Sequence, residues 1–213
     1  MKINRNYYIT KITTVFILIL ICGGMSMLFN YYYRGVFLAS ERKLPIYSVD
    51  TTEKQIALTF DVNWGPDNTK KILDILDKYN VKATFFIIGA WAEDNIDLVK
   101  EIHNRGNEID NHSTNHPDMT KISRDTIIKE VEITDVIIKK LTGESTNIFR
   151  CPFGAYNDNV IETLKDINHF CIQWDVDSID WQEQGADLEY NRVISKVKPG
   201  SIILFHNFKI YSR

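Results

Sequence analysis

The chain has 213 residues, 44% of them hydrophobic, with 25 Lys and Arg against 28 Asp and Glu and a formal net charge of −3. That length and composition leave room for one domain with a real core. A pI near 6.0 and charges scattered rather than blocked exclude the basic footprint of a nucleic-acid-binding protein.

Lys2, Arg5 and Lys11 precede an uncharged apolar run from Ile12 to Phe29, and Tyr31, Tyr32 and Tyr33 follow it. At 1.5 Å rise per residue the run covers about 27 Å, enough for a bilayer core. Tyrosines suit the membrane interface, and the positive charges before the run, against Arg34 just after it, favour a cytoplasmic N-terminus. The run therefore reads as a signal anchor. A cleaved signal is the rival, although no small-x-small site follows the run. Cys22 sits behind Ile21, a residue too large for lipoprotein cleavage. The expected organisation is a cytoplasmic segment over 1–11, a transmembrane anchor over 12–29, a tether over 30–53 and an extracytoplasmic domain over 54–213.

From Lys54 the pattern changes. Ile56 to Phe60 is a short apolar strand ending at Asp61, and Pro66-Asp67 opens a helix with Asp67 as cap and Ile72, Ile75, Leu76 and Tyr79 on one face. Ala83 to Ile88 is a second strand, and Trp91 to Asn104 an amphipathic helix ended by Gly106. Glu108 to Asn111 is a third strand. Ser123 caps a helix to Leu141 with Ile127, Val131, Thr134 and Ile138 inward and Gly143 as its stop. Strand 147–149, helix 157–167, strand 170–174, helix 188–197 and strand 201–205 complete the series. Short apolar strands alternating with helices predict a parallel sheet covered by helices.

In such folds functional residues gather at the carboxyl ends of strands. Asp61, His112, Arg150, Asp177 and His206 all follow predicted strands, a sorting that independent solvated residues would not show. His112 and His116, four residues apart, form half of a metal site, since a catalytic zinc needs about three protein ligands and an open position. Taken singly each has a plainer reading: a polar loop for the His pair, a turn residue for Asp61, a solvated turn for Asp175, Asp177 and Asp180, a packed imidazole for His206. Cys151 and Cys171 are the cysteines able to pair outside the membrane, and a disulfide between them stays open.

Taken in order, Thr59-Phe60-Asp61, His112-x3-His116, Arg150-x-Pro152-Phe153, Asp177-Ser178-x-Asp180-Trp181 and Leu204-x-His206 resemble the five motifs of the polysaccharide deacetylases, the NodB-homology group or carbohydrate esterase family four. The resemblance runs from about Gln55 to Asn207. Thr-Phe-Asp-Val-Asn-Trp-Gly further resembles the sporulation-associated branch of that family. It implies a distorted (β/α) barrel behind one transmembrane helix, and a hydrolase that removes N-acetyl groups from amino-sugar polysaccharide with a divalent metal, usually Zn2+. By position it implies His112 and His116 as metal ligands, Asp61 as general base held ionised by Arg150, and His206 as general acid oriented by Asp180. It places Trp181, Leu204, Pro152 and Phe153 against the substrate. The implied partners are cell-wall or spore polysaccharide and the membrane, with the domain outside a spore-forming cell.

Two departures matter. Active members carry a second Asp directly after the base, as a metal ligand; here that residue is Val62, and Asn63 and Asp67 are the nearby oxygen donors. A second reading therefore stands beside the deacetylase: a silent relative whose groove binds or organises glycan. The family pattern also continues for a helix and a strand beyond the last His motif, whereas this chain stops seven residues after His206, so a C-terminally truncated barrel is expected.

Overall fold

The structure, a computed structural model, describes residues 5–33, 42–63 and 68–207. Helix α1 spans Arg5–Tyr33. Its stretch Thr13–Tyr31 has a mean hydropathy of 1.9 and is long and apolar enough to cross a membrane. The chain divides into two compact units, Met1–Arg42 and Lys43–Arg213.

Among the described residues of the second unit, seven strands make one sheet: β1 Ala57–Val62, β2 Thr84–Ile87, β3 Glu108–Asn111, β4 Ile148–Phe149, β5 Phe170–Cys171, β6 Val176–Asp177 and β7 Ile202–His206. All neighbours are parallel, in the order β5-β4-β3-β2-β1-β7-β6. The sheet curls into an open half-barrel with helices outside, the α/β fold expected. Helices α2 Thr69–Lys78, α3 Gly89–Asp94, α4 Ile96–Asn104, α5 Arg124–Thr142, α6 Asp158–Asp166 and α7 Ala186–Ile194 fill the crossovers.

Side chains alternate across the pleat, and this divides β1 into two faces. Phe60 stacks on Phe85 of β2 and Phe205 of β7, with centroids 5.2 and 5.6 Å away. Asp61, one residue on, points to the barrel interior beside Arg150. Outside β1 to β3, Leu73, Phe85, Ile87, Ile88, Trp91, Val99, Ile102 and Val62 form the larger apolar cluster. A second cluster joins Ile127, Val131, Phe149, Val160 and Leu164 under α5 and α6. Each fully buried side chain of this size contributes about 1.5–3 kcal/mol.

Helix α5 matches its expectation closely. Ser123 accepts from the Thr126 N–H, Gly143 closes the helix at φ 83°, and Ile127, Val131, Thr134 and Ile138 are buried. Other expectations need correction. Helix α2 turns Thr69, Leu73 and Leu76 inward and leaves Ile75 and Tyr79 exposed, because the inward row is set from Thr69 at i+4 and i+7. The expected cap Asp67 lies outside the described residues. The single helix 91–104 is two, broken at Asn95 with φ −130°. Strand β6, only two residues long, was not expected at all.

Part of the expected tether is pinned against the domain by isolated bridges. Ile46 bridges to Ile172 and Ser48 to Ser201, with the Ile46 N–H on the Cys171 carbonyl and the Val49 N–H on the Gly200 carbonyl, both at 2.9 Å. Gly200 (φ +80°) permits this approach, since a Cβ there would stand 1.8 Å from the Val49 carbonyl oxygen.

Candidate active site

The strand register assembles the site. Asp61 lies opposite Phe86 on β2 and His206 on β7, and partners in parallel strands share a face. Base and acid candidates, far apart in sequence, thus become lateral neighbours at the carboxyl rim.

Asp61 is buried and accepts from Arg150 Nη1 at 2.8 Å. Arg150 has no solvent exposure. It also donates to Thr59 Oγ1 (2.8 Å) and the Gln173 carbonyl (3.1 Å), and its guanidinium lies 4.0 Å from the Phe86 ring centroid. Burial pushes the Asp61 carboxyl up, but Arg150, His112 and His206 together outweigh it and hold the pKa below the ordinary value. A base kept ionised and aimed by a buried guanidinium follows.

The loop from His112 to His116 is built by its surroundings. Asn111 Oδ1 accepts the Ser113 N–H, and Glu130 on α5 accepts the N–H groups of Thr114 and Asn115 at 3.0 and 2.7 Å. From below, Gly89 and Ala90 of α3 donate to the carbonyls of Ser113 and Thr114. Gly89 has no room for a side chain, since a Cβ would meet Thr134 Oγ1 at 2.6 Å. Ser113 and His116 adopt positive φ (68° and 55°), as do Phe153 and Ile179 in neighbouring loops. Such left-handed residues outside glycine store strain, and they cluster at functional sites.

His112 Nδ1–H donates to the Arg150 carbonyl at 2.9 Å, so its Nε2 carries the lone pair and faces Asp61 Oδ2 at 3.5 Å. Burial lowers the His112 pKa, and burial with the neighbouring His112 lowers that of His116 to about 4. The rings lie 4.9 Å apart between centroids. Two neutral imidazoles beside an ionised carboxylate fit a divalent cation as a donor set. Among the described residues, however, no three His, Cys, Asp or Glu side chains converge as a complete metal site. Val62 is wholly buried in the apolar cluster.

Opposite, His206 Nδ1–H donates to Asp180 Oδ1 at 2.7 Å, and its backbone N–H to Oδ2 at 2.6 Å. Burial alone would lower the imidazole pKa; the Asp180 hydrogen bond and the charges of Asp61, Asp180 and Asp177 raise it overall. The acidic cluster is thus three separate devices. Asp175 accepts from Ser201 and the Ile202 N–H, Asp177 from the Ile179 N–H, and Asp180 from His206.

A cavity of about 420 Å3 is lined by Asp61, His112, His116 and His206, with Phe153, Trp174, Trp181 and Leu204 as apolar walls. Arg150 and Asp180 stand behind this lining, and Pro152 is buried in the turn below Phe153 without reaching the cavity. Asn63, named above as a nearby oxygen donor, lines it too, with Gly154 and Asp177; Gly154, Trp174 and Glu130 carried no signal beyond ordinary residues of a turn, strand end or helix. Cys151 and Cys171 are free thiols whose sulfurs approach to 3.5 Å in the second cluster.

A polysaccharide deacetylase family profile matches residues 48–171. The peptidoglycan-N-acetylglucosamine deacetylase of Bacillus cereus is 37% identical over 161 residues, 76% of this chain and 58% of that protein. The chitooligosaccharide deacetylase of Sinorhizobium fredii is 35% identical over 158 residues, 74% of each. In crystal structures, a CE4 family pseudoenzyme from Bacillus anthracis superposes with TM-score 0.75 at 36% identity, over 78% of this chain and 59% of that one. A mutant of that pseudoenzyme with restored enzymatic activity superposes equally, at 37% identity. The chain spans less than two thirds of the length of the B. cereus and B. anthracis relatives. With five ordered motifs at one rim and a profile over more than half its length, the chain belongs to the polysaccharide deacetylase family.

Proposed function

We propose that the protein removes N-acetyl groups from an amino-sugar polysaccharide, peptidoglycan of the cell wall or the spore, while anchored to the membrane by α1. The observation that carries this reading is the opposition of a carboxylate paired with a guanidinium and an imidazole paired with a carboxylate. Asp61 is paired with Arg150, which lowers its pKa, and His206 is bonded to Asp180, which raises its pKa, across a cavity that also presents His112 and His116.

A divalent ion held by His112 and His116, zinc by the chemistry of imidazole donors, would polarise the amide carbonyl and acidify the attacking water. Asp61 accepts that water's proton. His206 gives its Nε2 proton to the departing amine, and Asp180 stabilises the imidazolium before transfer. Two groups split by their surroundings into acid and base make one hydrolysis cycle at neutral pH. Trp181, Leu204 and Phe153 enclose the acetyl group and the sugar face.

A second reading rests on Val62 and on the incomplete donor set: this chain is a silent relative whose cavity binds glycan, and a CE4 family pseudoenzyme stands among its structural neighbours. The experiment is acetate release from peptidoglycan and chitooligosaccharide by the full chain, beside Asp61→Asn and His206→Ala. The deacetylase reading expects release by the unaltered protein and a loss of about 10^2–10^4-fold in each variant. Saturable glycan binding without release would instead support the silent relative.

A further inference from the structure

Position 62 does not face the cavity. Val62 is fully buried with Leu73, Ile88 and Trp91 on the helix side of β1, as strand alternation after the inward Asp61 requires. The next inward residue is Asn63, which lines the cavity beside Asp61, His112 and His116.

Asn63 is held there by its backbone. Its N–H donates to Asn207 Oδ1 at 3.3 Å. Asn207 is itself fixed, donating from its N–H to the Asp61 carbonyl (3.3 Å) and from Nδ2 to Thr69 Oγ1 (3.2 Å). The Asn63 side chain takes no part in this bracket. Its Oδ1 is buried, with no hydrogen-bond partner among the described residues. A buried amide oxygen without a donor is costly, and such a group in a native fold calls for an explanation. Here the explanation lies in what surrounds it. Two neutral imidazoles lack a third donor, and among the described residues no group of three His, Cys, Asp or Glu supplies one.

We propose that Asn63 Oδ1 is the third protein donor of the divalent-cation site, an uncharged oxygen in place of the carboxylate that Val62 cannot provide. The inference rests on the metal-dependent reading above. An amide carbonyl is a competent hard donor for divalent cations. Its neutrality has two consequences. The site attracts the cation less strongly than one with a carboxylate, and the bound cation keeps more of its charge for polarising substrate.

The test is direct metal binding by the full chain in detergent, without turnover. Co2+ is titrated by its visible absorption, and Zn2+ by competition with a chromophoric chelator. The unaltered protein is compared with Asn63→Ala, Asn63→Asp, Val62→Asp and His116→Ala. One Co2+ should bind, weakened about 10- to 100-fold in Asn63→Ala, strengthened in Asn63→Asp and lost in His116→Ala. Val62→Asp should bind no more tightly than the unaltered protein, because its carboxylate enters the apolar cluster. Equal affinity and an unchanged spectrum in Asn63→Ala, or tightening in Val62→Asp that matches Asn63→Asp, would overturn this inference alone. No Co2+ or Zn2+ binding by the unaltered protein would overturn the metal-dependent reading with it.

Discussion

Arg150 is the largest fully buried side chain of the described residues, and it holds the base, the strand beneath it and the β5 end together. Replacing it with leucine leaves Asp61 as an uncompensated buried charge, a loss of about 3–5 kcal/mol. The pH dependence should change as well. With Arg150 present the Asp61 pKa is depressed, so the pair's stabilisation is present above the unfolded value and is lost as pH falls through the folded one. Without it, burial, the largest influence, is opposed only by His112 and His206; the carboxyl pKa should rise, and the stability gained with rising pH should shrink or reverse. Urea midpoints between pH 3 and 7, a range bracketing the ordinary carboxylate pKa of about 4, would show the change of slope. His206 carries the opposite sign. Its raised pKa means that its bond to Asp180 stabilises fully below about 6.5 and is lost as pH rises through the folded value. Asp180→Asn should therefore lower the His206 titration seen by NMR and move the alkaline limb of the activity profile to lower pH. An unmoved titration would remove Asp180 as the positioning residue.

Helix α5 acts as the scaffold of the His112–His116 loop. Its inward face, through Val131 and Thr134, packs the second cluster and lies against Gly89, while Glu130 reaches over to cap two loop N–H groups. Glu130→Ala should cost about 1–3 kcal/mol in unfolding free energy and weaken metal binding while leaving the far-ultraviolet spectrum unchanged. The helix itself was legible in the sequence, because Ser123, Gly143 and four apolar residues at helical spacing are local signals. So was the sorting of Asp61, His112, Arg150 and His206 to strand ends. The cradle around Arg150 was not, because Thr59 and the Gln173 carbonyl lie 91 and 23 residues away from it and meet it only through sheet closure. Strand β6 was missed because two residues carry no period. The inward side of α2 was misassigned because the helix starts at Thr69, after the expected cap.

At the scale of the molecule, the site depends on the sheet, and the proposed membrane location on α1. The Lys43–Arg213 unit contains all the catalytic candidates, and the strap around Ile46 and Ser48 is part of it. The full chain should sediment with membranes, resist extraction by salt and dissolve in detergent, whereas a chain starting at Lys43 should remain in the supernatant. Protease added outside intact cells should reach the domain of the full chain. Membrane association unchanged after removal of α1 would place the anchor elsewhere.

Hydrolysis of N-acetyl groups in this cavity can be measured by mixing the full-length protein in detergent with purified peptidoglycan. Acetate would be followed over time with added Zn2+ and with a chelator. A deacetylase should give steady release matched one for one by new free amines on the glycan, stopped by chelator and restored by Zn2+. Bound glycan with no acetate under any metal would contradict it.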